Sequence, residues 1–433
     1  MANPSQALSA PPPNEKRDGF GNVVDPVVSF ARGRIIGSSV DEVRRLRHGQ
    51  AVAAERVRRL GPQSIGVFTG NQRDFPIRPE DIATSCEEWV GPGLVAEELR
   101  RLAVEHLGGL PDDGCAVFNR TSAGIVATIA AHAGGRPVLS IVPLGGRSHA
   151  SVVRGCGLAR VEMIEVQGDG DWRARIAGCA LVVVTTVTSS LERLDDEIAR
   201  AAIEAAKAAG CVTFLDEAYG ARVRPYLHGG AKALELGADL AITNCDKAGL
   251  SGPRSGVLAG RAPLVVAASA KGSEYGMEAR APIAAATFRS LAAFDPAHLR
   301  KEAESGGRLA EALARRLGGM VARSDLGPMI HEDDVLRELI RRSGLSQNDI
   351  AVVPAESGAA LGMVLLEDHG ILTVNTHGQP GARISVRLKP TLDALDRVGG
   401  IEATVEAFDR SVDKVAAMLG DETALRALIH GRQ

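Results

Sequence analysis

A lysine that follows an apolar strand and opens a glycine-rich loop is placed to form a covalent bond. Lys247 stands in Ala241-Ile-Thr-Asn-Cys-Asp-Lys-Ala-Gly-Leu-Ser-Gly-Pro-Arg-Ser-Gly256, where the apolar run ends near Thr243. The glycines let backbone approach a ligand closely. A lysine amine condenses with a carbonyl to give an imine, and its pKa falls readily on burial. Asp216 closes the run Val212-Thr-Phe-Leu-Asp-Glu-Ala-Tyr-Gly220 and lies 31 residues before Lys247. That spacing is one strand-helix-strand step, so both residues fall at the carboxyl edge of a sheet, where α/β folds gather ligands. An aspartate there could also cap a helix or hold magnesium. Thr121 and Ser122, with the amide of Ala123, form a polar start to an alanine-rich helix in Phe118-Asn-Arg-Thr-Ser-Ala-Gly124. Such a start suits a phosphate, although the same hydroxyls also cap helices. His149, in Gly145-Gly-Arg-Ser-His-Ala-Ser151, offers a flat ring, or a structural histidine.

Taken together, these groups match the needs of pyridoxal 5'-phosphate (PLP). The cofactor wants an amine for its aldehyde, a carboxylate that keeps the pyridine nitrogen protonated, a phosphate cradle and a flat group over its ring. Lys247, Asp216, Thr121 with Ser122, and His149 would supply them in that order.

The elements around these residues point the same way. Ser39 to Leu60 reads as an arginine-bearing helix, with Ser39 as its cap. From about residue 95 to 290, short apolar runs (Pro137–Val142, Val161–Val166, Ala180–Thr185, Val212–Leu215, Leu240–Thr243) alternate with helical stretches. These stretches include Val95–Leu107, Gly124–Ala131, Leu194–Ala209 and Gly229–Leu236. The alternation predicts a mainly parallel sheet between helices. Beyond Pro296 long helices (Ala297–Leu317, Asp334–Ser343) precede three expected strands (Gly362–Leu366, Ile371–Asn375, Arg383–Leu388) and closing helices at Leu395–Met418 and Glu422–Ile429. The expected division is a disordered start (1–18), an amino-terminal arm and helix (19–94), a large cofactor-binding domain (95–290) and a small α+β domain (291–433).

Composition narrows the partners. The net charge of -3 and an aromatic content of 3% give no basic, base-stacking surface, so a nucleic-acid partner is not expected. The six cysteines are scattered without a CxxC pair, which fits reduced thiols and no metal. With no signal peptide and no apolar run of membrane-spanning length, a cytoplasmic protein is expected.

In order and spacing, the four chemical segments resemble fold-type I PLP enzymes, the aspartate-aminotransferase-like fold, over roughly residues 60 to 390. Within that superfamily the chain resembles L-seryl-tRNA(Sec) selenium transferase and its archaeal PLP-dependent relatives. The likeness lies in Asn119-Arg-Thr-Ser-Ala, Ser148-His149, Thr185-Thr-Val-Thr-Ser189, Asp246-Lys247, Gly252-Pro-Arg-Ser-Gly256 and Gly272-Ser-Glu-Tyr-Gly-Met-Glu-Ala-Arg280. The resemblance implies Lys247 as the Schiff-base lysine, Asp216 at the ring nitrogen with Ala218 beside it, and His149 on the ring. It further implies Thr121, Ser122 and Ala123 at the phosphate, Asn244 as a weaker contact, and Tyr275 or Arg280 serving the site of a second subunit in a homodimer or larger oligomer. It also implies a small-domain arginine on the substrate carboxylate. Alternation puts Arg383, Ser385 and Arg387 on one face, with Arg383 preferred and His377 as an additional acid or base.

The expected activity is elimination or replacement on an amino acid or a derivative of one, begun by proton loss at Cα with Lys247 as base. The alternatives are transamination, aminoacyl-tRNA chemistry and a non-catalytic binding role. A tRNA-directed activity would show as salt-sensitive RNA binding, lost when Arg44, Arg45 and Arg47 are neutralised.

Overall fold

The computed structural model describes residues 16–432 apart from 73, 351 and 383. Most of the expected disordered start, and Arg383, therefore lie outside the described residues.

Seven strands form the central sheet. In chain order they are β1 (Gly114–Phe118), β2 (Val138–Val142), β3 (Met163–Gln167), β4 (Leu181–Thr185), β5 (Val212–Asp216), β6 (Leu240–Thr243) and β7 (Gly256–Gly260). Across the sheet they run β1-β7-β6-β5-β4-β2-β3. Only β7 is antiparallel to its neighbours, pairing Gly256 with Phe118 of β1 and Val257 with Thr243 of β6. The carboxyl ends of the parallel strands and the amino end of β7 thus share one edge.

The sheet is apolar on both faces because helices cover both. Val182 and Val184 face one layer with Ala199, Ile203 and Ala206 of the helix Asp196–Ala208. The alternate residues Leu181 and Val183 face the other, with Ile125 and Ile129 of α2 (Thr121–His132) and Val152 of α3 (Ala150–Ala159). Strand period decides which residue joins which layer.

A second core gathers Leu309, Leu313, Leu336, Leu339, Leu361, Leu365 and Phe408 from the carboxyl-terminal helices, with Ile35, Ile36 and Phe68 from the amino-terminal part. Here the expected strand Gly362–Leu366 is the middle of a helix, Pro354–His369. The helix is buried from Pro354 to Leu366, so its apolar run carries no helical stripe to distinguish it from a strand. The other two expected strands shrink to Ile371–Leu372 and Val386–Arg387. Gly229–Leu236 holds a single 3-10 turn, and the helix lies just before it, at Gly220–His228 with Pro225 inside. The expected Leu395–Met418 helix breaks at Gly399 and Gly400, both at positive φ.

α1 (Ser39–Leu60) has its expected span, but Ser38 rather than Ser39 caps it, its hydroxyl accepting from the Asp41 amide. Its arginines are not uniformly solvated either. Arg45 is buried and donates to the carbonyls of Asn375 and, at 3.0 Å, Gly378. Neutralising it would damage this anchor whatever the protein does with RNA. Arg45→Met leaves two buried carbonyls without their charged donor, a loss of roughly 2–4 kcal/mol. A clear fall in melting temperature is expected, whereas Arg44→Gln, on the exposed face, should shift it little.

Candidate active site

Loops at the shared sheet edge enclose a cavity of about 350 Å³. Asp216, the last residue of β5, pairs with Thr185 of β4 and Ile242 of β6, so it stands at the centre of this edge. Lys247 follows β6 by four residues, Thr121 and Ser122 open α2 after β1, and His149 caps α3 after β2. All five line the cavity, as do Ala218 and Arg387. Arg120, Arg254, Tyr219, Thr185, Thr188, Ser189 and His377 join them.

Asp216 is 4% exposed, and its Oδ1 has no hydrogen-bond partner. Burial, then the neighbouring Glu217, raises its pKa to about 6, while the Ala218 amide and Lys247 pull it down. A buried carboxylate in this state lacks a cation.

The loops on either side of it are locked. Arg222, fully buried, donates from Nη1 to Thr243 Oγ1 at 2.9 Å. Its Nη2 donates to the Ala218 carbonyl at 3.0 Å and to Asn244 Oδ1 at 2.9 Å. Asn244 Nδ2 donates to that same carbonyl at 2.7 Å. Asn244 thus lies outside the cavity wall and ties the loop after β5 to the loop that carries Lys247. Glu217 continues the lock, accepting from Thr186 Oγ1 at 2.7 Å and from Arg224 at 2.8 Å.

The Lys247 amine lies 2.9 Å from Asp246 Oδ1 and 6.0 Å from the centre of the Tyr219 ring. On the other side of the site Arg387 and Lys389 both donate to the Ser189 carbonyl, at 2.5 and 3.0 Å. Lys389 sits 4.4 Å from the centre of the Tyr219 ring, and burial, reinforced by Arg387, holds its pKa far below the usual lysine value. His149 is open to the cavity yet surrounded by protein on the scale of several ångströms. This desolvation, followed by Lys247, Arg120, Arg147 and Arg154, lowers its pKa to about 4. Its Nδ1 accepts from the Ser151 amide at 3.2 Å, which leaves the proton of the neutral ring on Nε2.

Thr121 Oγ1 donates to the Ser255 carbonyl at 3.2 Å, joining the start of α2 to the turn before β7. A Cβ on Gly256 would lie 2.7 Å from both the Arg120 carbonyl and the Thr121 Cα, so only glycine allows this approach. The other expected contacts fall elsewhere. Ala123 lies one step into α2 and outside the wall. Tyr275 is 62% exposed, and Arg280 is exposed and pairs with Glu88 at 3.0 Å. Among the described residues no cluster suits a metal ion, all six cysteines are free, and no helix is long and apolar enough to cross a membrane.

A central carboxylate with an unpartnered oxygen, a lysine in the same cavity and a tightly packed helix start with two hydroxyls fit PLP. The sheet order and this edge define a fold-type I PLP protein. Solved structures agree on the fold. The chain superposes on N-succinyldiaminopimelate aminotransferase from Mycobacterium tuberculosis with a TM-score of 0.55 and 17% identity, covering 84% of this chain and 96% of that one. A SepCysS-SepCysE amino-terminal domain complex gives 0.55 and 13%, covering 83% and 98%. Serine palmitoyltransferase from S. paucimobilis gives 0.51 and 17%, covering 85% and 84%.

In sequence, the chain is 34% identical over 396 residues to a UPF0425 pyridoxal phosphate-dependent protein of Methanothermobacter thermautotrophicus, spanning 90% of this chain and 99% of that one. It is 31% identical over 370 residues to a protein of the same description from Methanopyrus kandleri, spanning 85% and 93%. It belongs to this UPF0425 family of PLP-dependent proteins, which bears out the resemblance to archaeal PLP-dependent relatives. No family model matches the chain.

The Asp216 carboxyl makes a signed prediction. Its folded pKa lies above the usual value of 3.8, so the folded apo-protein holds this proton more tightly than the unfolded chain does. Stability from this group is present below pH 4 and is lost as pH rises through about 6. In the apo-protein at pH 7.5, Asp216→Asn should be more stable than the parent by ~3 kcal/mol, with the difference vanishing near pH 4. Denaturant unfolding of both proteins across this range checks it; a pH-independent difference would show that the carboxylate is already compensated.

Proposed function

We propose that the protein is an enzyme acting on an amino acid or an amino-acid derivative, with Lys247 as the residue that bonds to the cofactor and then moves the Cα proton. Bound PLP supplies an aldehyde that captures the substrate amine and a ring that accepts the electron pair released at Cα. The observation that carries the reading is the buried, unpartnered Oδ1 of Asp216 in the same cavity as the Lys247 amine.

Asp216 would hold a proton on the ring nitrogen, its own carboxylate gaining the cation it lacks. Thr121 and Ser122 would bind the phosphate at the start of α2, with Arg254 from the turn before β7. His149, neutral near pH 7, would cover a ring face without adding charge. Arg387, or Arg383 as the sequence suggests, would pair with the substrate carboxylate. Lys247 would take the proton from Cα and return it. Asp246 would hold its ammonium form in place between turnovers.

Elimination or replacement is the favoured outcome, resting on the resemblance to the selenium transferase group. Transamination is the rival, supported by the aminotransferase among the structural neighbours. Tyr275 and Arg280, which do not line this cavity, would reach a site from a second copy of the chain in a homodimer.

Borohydride treatment of the PLP-loaded protein should fix the cofactor to Lys247, read by peptide mass. Lys247→Ala should abolish the fixation and lower turnover by about 10³-fold or more. Amino acids with β- or γ-leaving groups should release ammonia and a keto acid without an amino acceptor, whereas an acceptor-dependent reaction would favour transamination. A loaded protein unmodified at Lys247 would overturn the assignment.

A further inference from the structure

A polar side chain in the cavity wall has no part in the reaction as assigned above. Asn71 lines the cavity, and its Oδ1 is buried without a hydrogen-bond partner. Thr185 Oγ1 is in the same state, but Thr185 stands in register with Asp216 and so belongs with the cofactor. Asn71 follows a different element, the short strand Gly66–Val67, which pairs with Ile371–Leu372.

The backbone around Asn71 is tightly held. Thr69 Oγ1 accepts from the Asn71 amide at 3.0 Å and donates to the Asn71 carbonyl at 2.9 Å. On one side the Gln72 amide donates to the Asp246 carbonyl at 2.6 Å, next to Lys247. On the other, the Lys389 amide donates to the Phe68 carbonyl at 3.0 Å, two residues beyond Arg387. Gly70 between them is at φ +66, and a Cβ there would lie 2.8 Å from Lys389 Cδ. Asn71 is thus tied to the loop of the lysine proposed to move the proton and to the segment of the arginine proposed for the substrate carboxylate. None of these bonds reaches Asp216 or the start of α2.

The chemistry of an amino acid then limits what can meet this oxygen. An amide oxygen accepts a hydrogen bond and needs an N–H or O–H. The amino group of the substrate is spent on the cofactor's aldehyde, and its carboxylate carries no proton near neutral pH. What remains is the side chain. An ammonium there would give up its water for one neutral oxygen, which does not repay the desolvation. A hydroxyl or a carboxamide is satisfied by neutral partners.

We propose that Asn71 is a specificity-determining residue whose Oδ1 accepts from an uncharged donor on the substrate side chain, so that the substrate is an amino acid bearing a hydroxyl or a carboxamide. The inference rests on the cofactor assignment above and names the substrate class for it.

The test compares matched amino acids on the PLP-loaded protein, with affinity read from the change in cofactor absorbance. The pairs are serine and 2-aminobutyrate, homoserine and norvaline, and asparagine and leucine, alike in size and differing in the donor. In at least one pair the donor-bearing member should bind about tenfold or more tighter. Preference for serine or homoserine identifies a hydroxyl, and preference for asparagine identifies a carboxamide. Asn71→Leu should bring that ratio close to one by weakening the donor-bearing member, with PLP content and melting temperature at the parent level. Asn71→Asp, which keeps an acceptor oxygen and loses only the NH2 group, should retain the preference.

Equal affinity within all three pairs, with Lys247 still fixed by borohydride, would overturn the contact and leave the cofactor reading standing. A preference that survives in Asn71→Leu would overturn it too. So would Asn71→Leu weakening both members of a pair alike, which would give the amide to the substrate carboxylate. Loss of PLP from that variant at an unchanged melting temperature would give the amide to the cofactor instead. Loss of the preference in Asn71→Asp would make the NH2 group the one that binds, and this arm decides the matter even where Asn71→Leu does not fold. Failure of borohydride to label Lys247 would remove the cofactor reading beneath.

Discussion

A carboxylate taken out of water at the centre of a sheet edge requires a positive partner, and the site is arranged around that requirement. Asp216 is fixed by strand pairing on both sides, so it cannot turn outward to find solvent. The available amine of Lys247 is engaged with Asp246, and the nearby arginines are held by other groups. The unsatisfied oxygen is therefore a specification for a ligand that brings its own cation to one point. A protonated pyridine nitrogen would meet it under the proposed assignment, and PLP dependence is what the chain shares with its family.

Around this point, charge is graded rather than uniform. Acidic groups lie deep at the ends of β5 and β6, while arginines occupy the outer loops. His149 and Lys389, which would ordinarily carry charge or come close to it, are pressed toward their neutral forms by burial and by the cations beside them. Guanidiniums in the cavity wall thus stand beside one titratable base, His149, that burial presses toward its neutral form.

Much of this arrangement was legible in the sequence because it obeys two short rules. Apolar runs ending in a polar residue mark strand ends, and parallel strands bring their carboxyl ends to one edge; Thr121, Ser122, His149, Asp216 and Lys247 each follow a strand closely enough to be carried there. Arg254 and Arg120 stood within the quoted motifs, but nothing in their spacing said which way they faced. Arg147 and Arg154 acquire their place from contacts with Val28 and Pro380, over a hundred residues away in chain, and no local pattern encodes that. The antiparallel β7 escaped notice because its run Gly256-Val-Leu-Ala-Gly260 is short and flanked by glycine. The helix Pro354–His369 was misread because complete burial erases the difference between its two sides. Asn244 was expected to touch the cofactor, but it faces Arg222, a partner that only the fold supplies.

The buried Arg222 guanidinium, bonded at once to Thr243, Ala218 and Asn244, ties the loops after β5 and β6 to each other. None of its bonds involves a side chain that lines the cavity. A change at Arg222 would therefore be felt in both loops at once, although its guanidinium touches no side chain of the cavity wall.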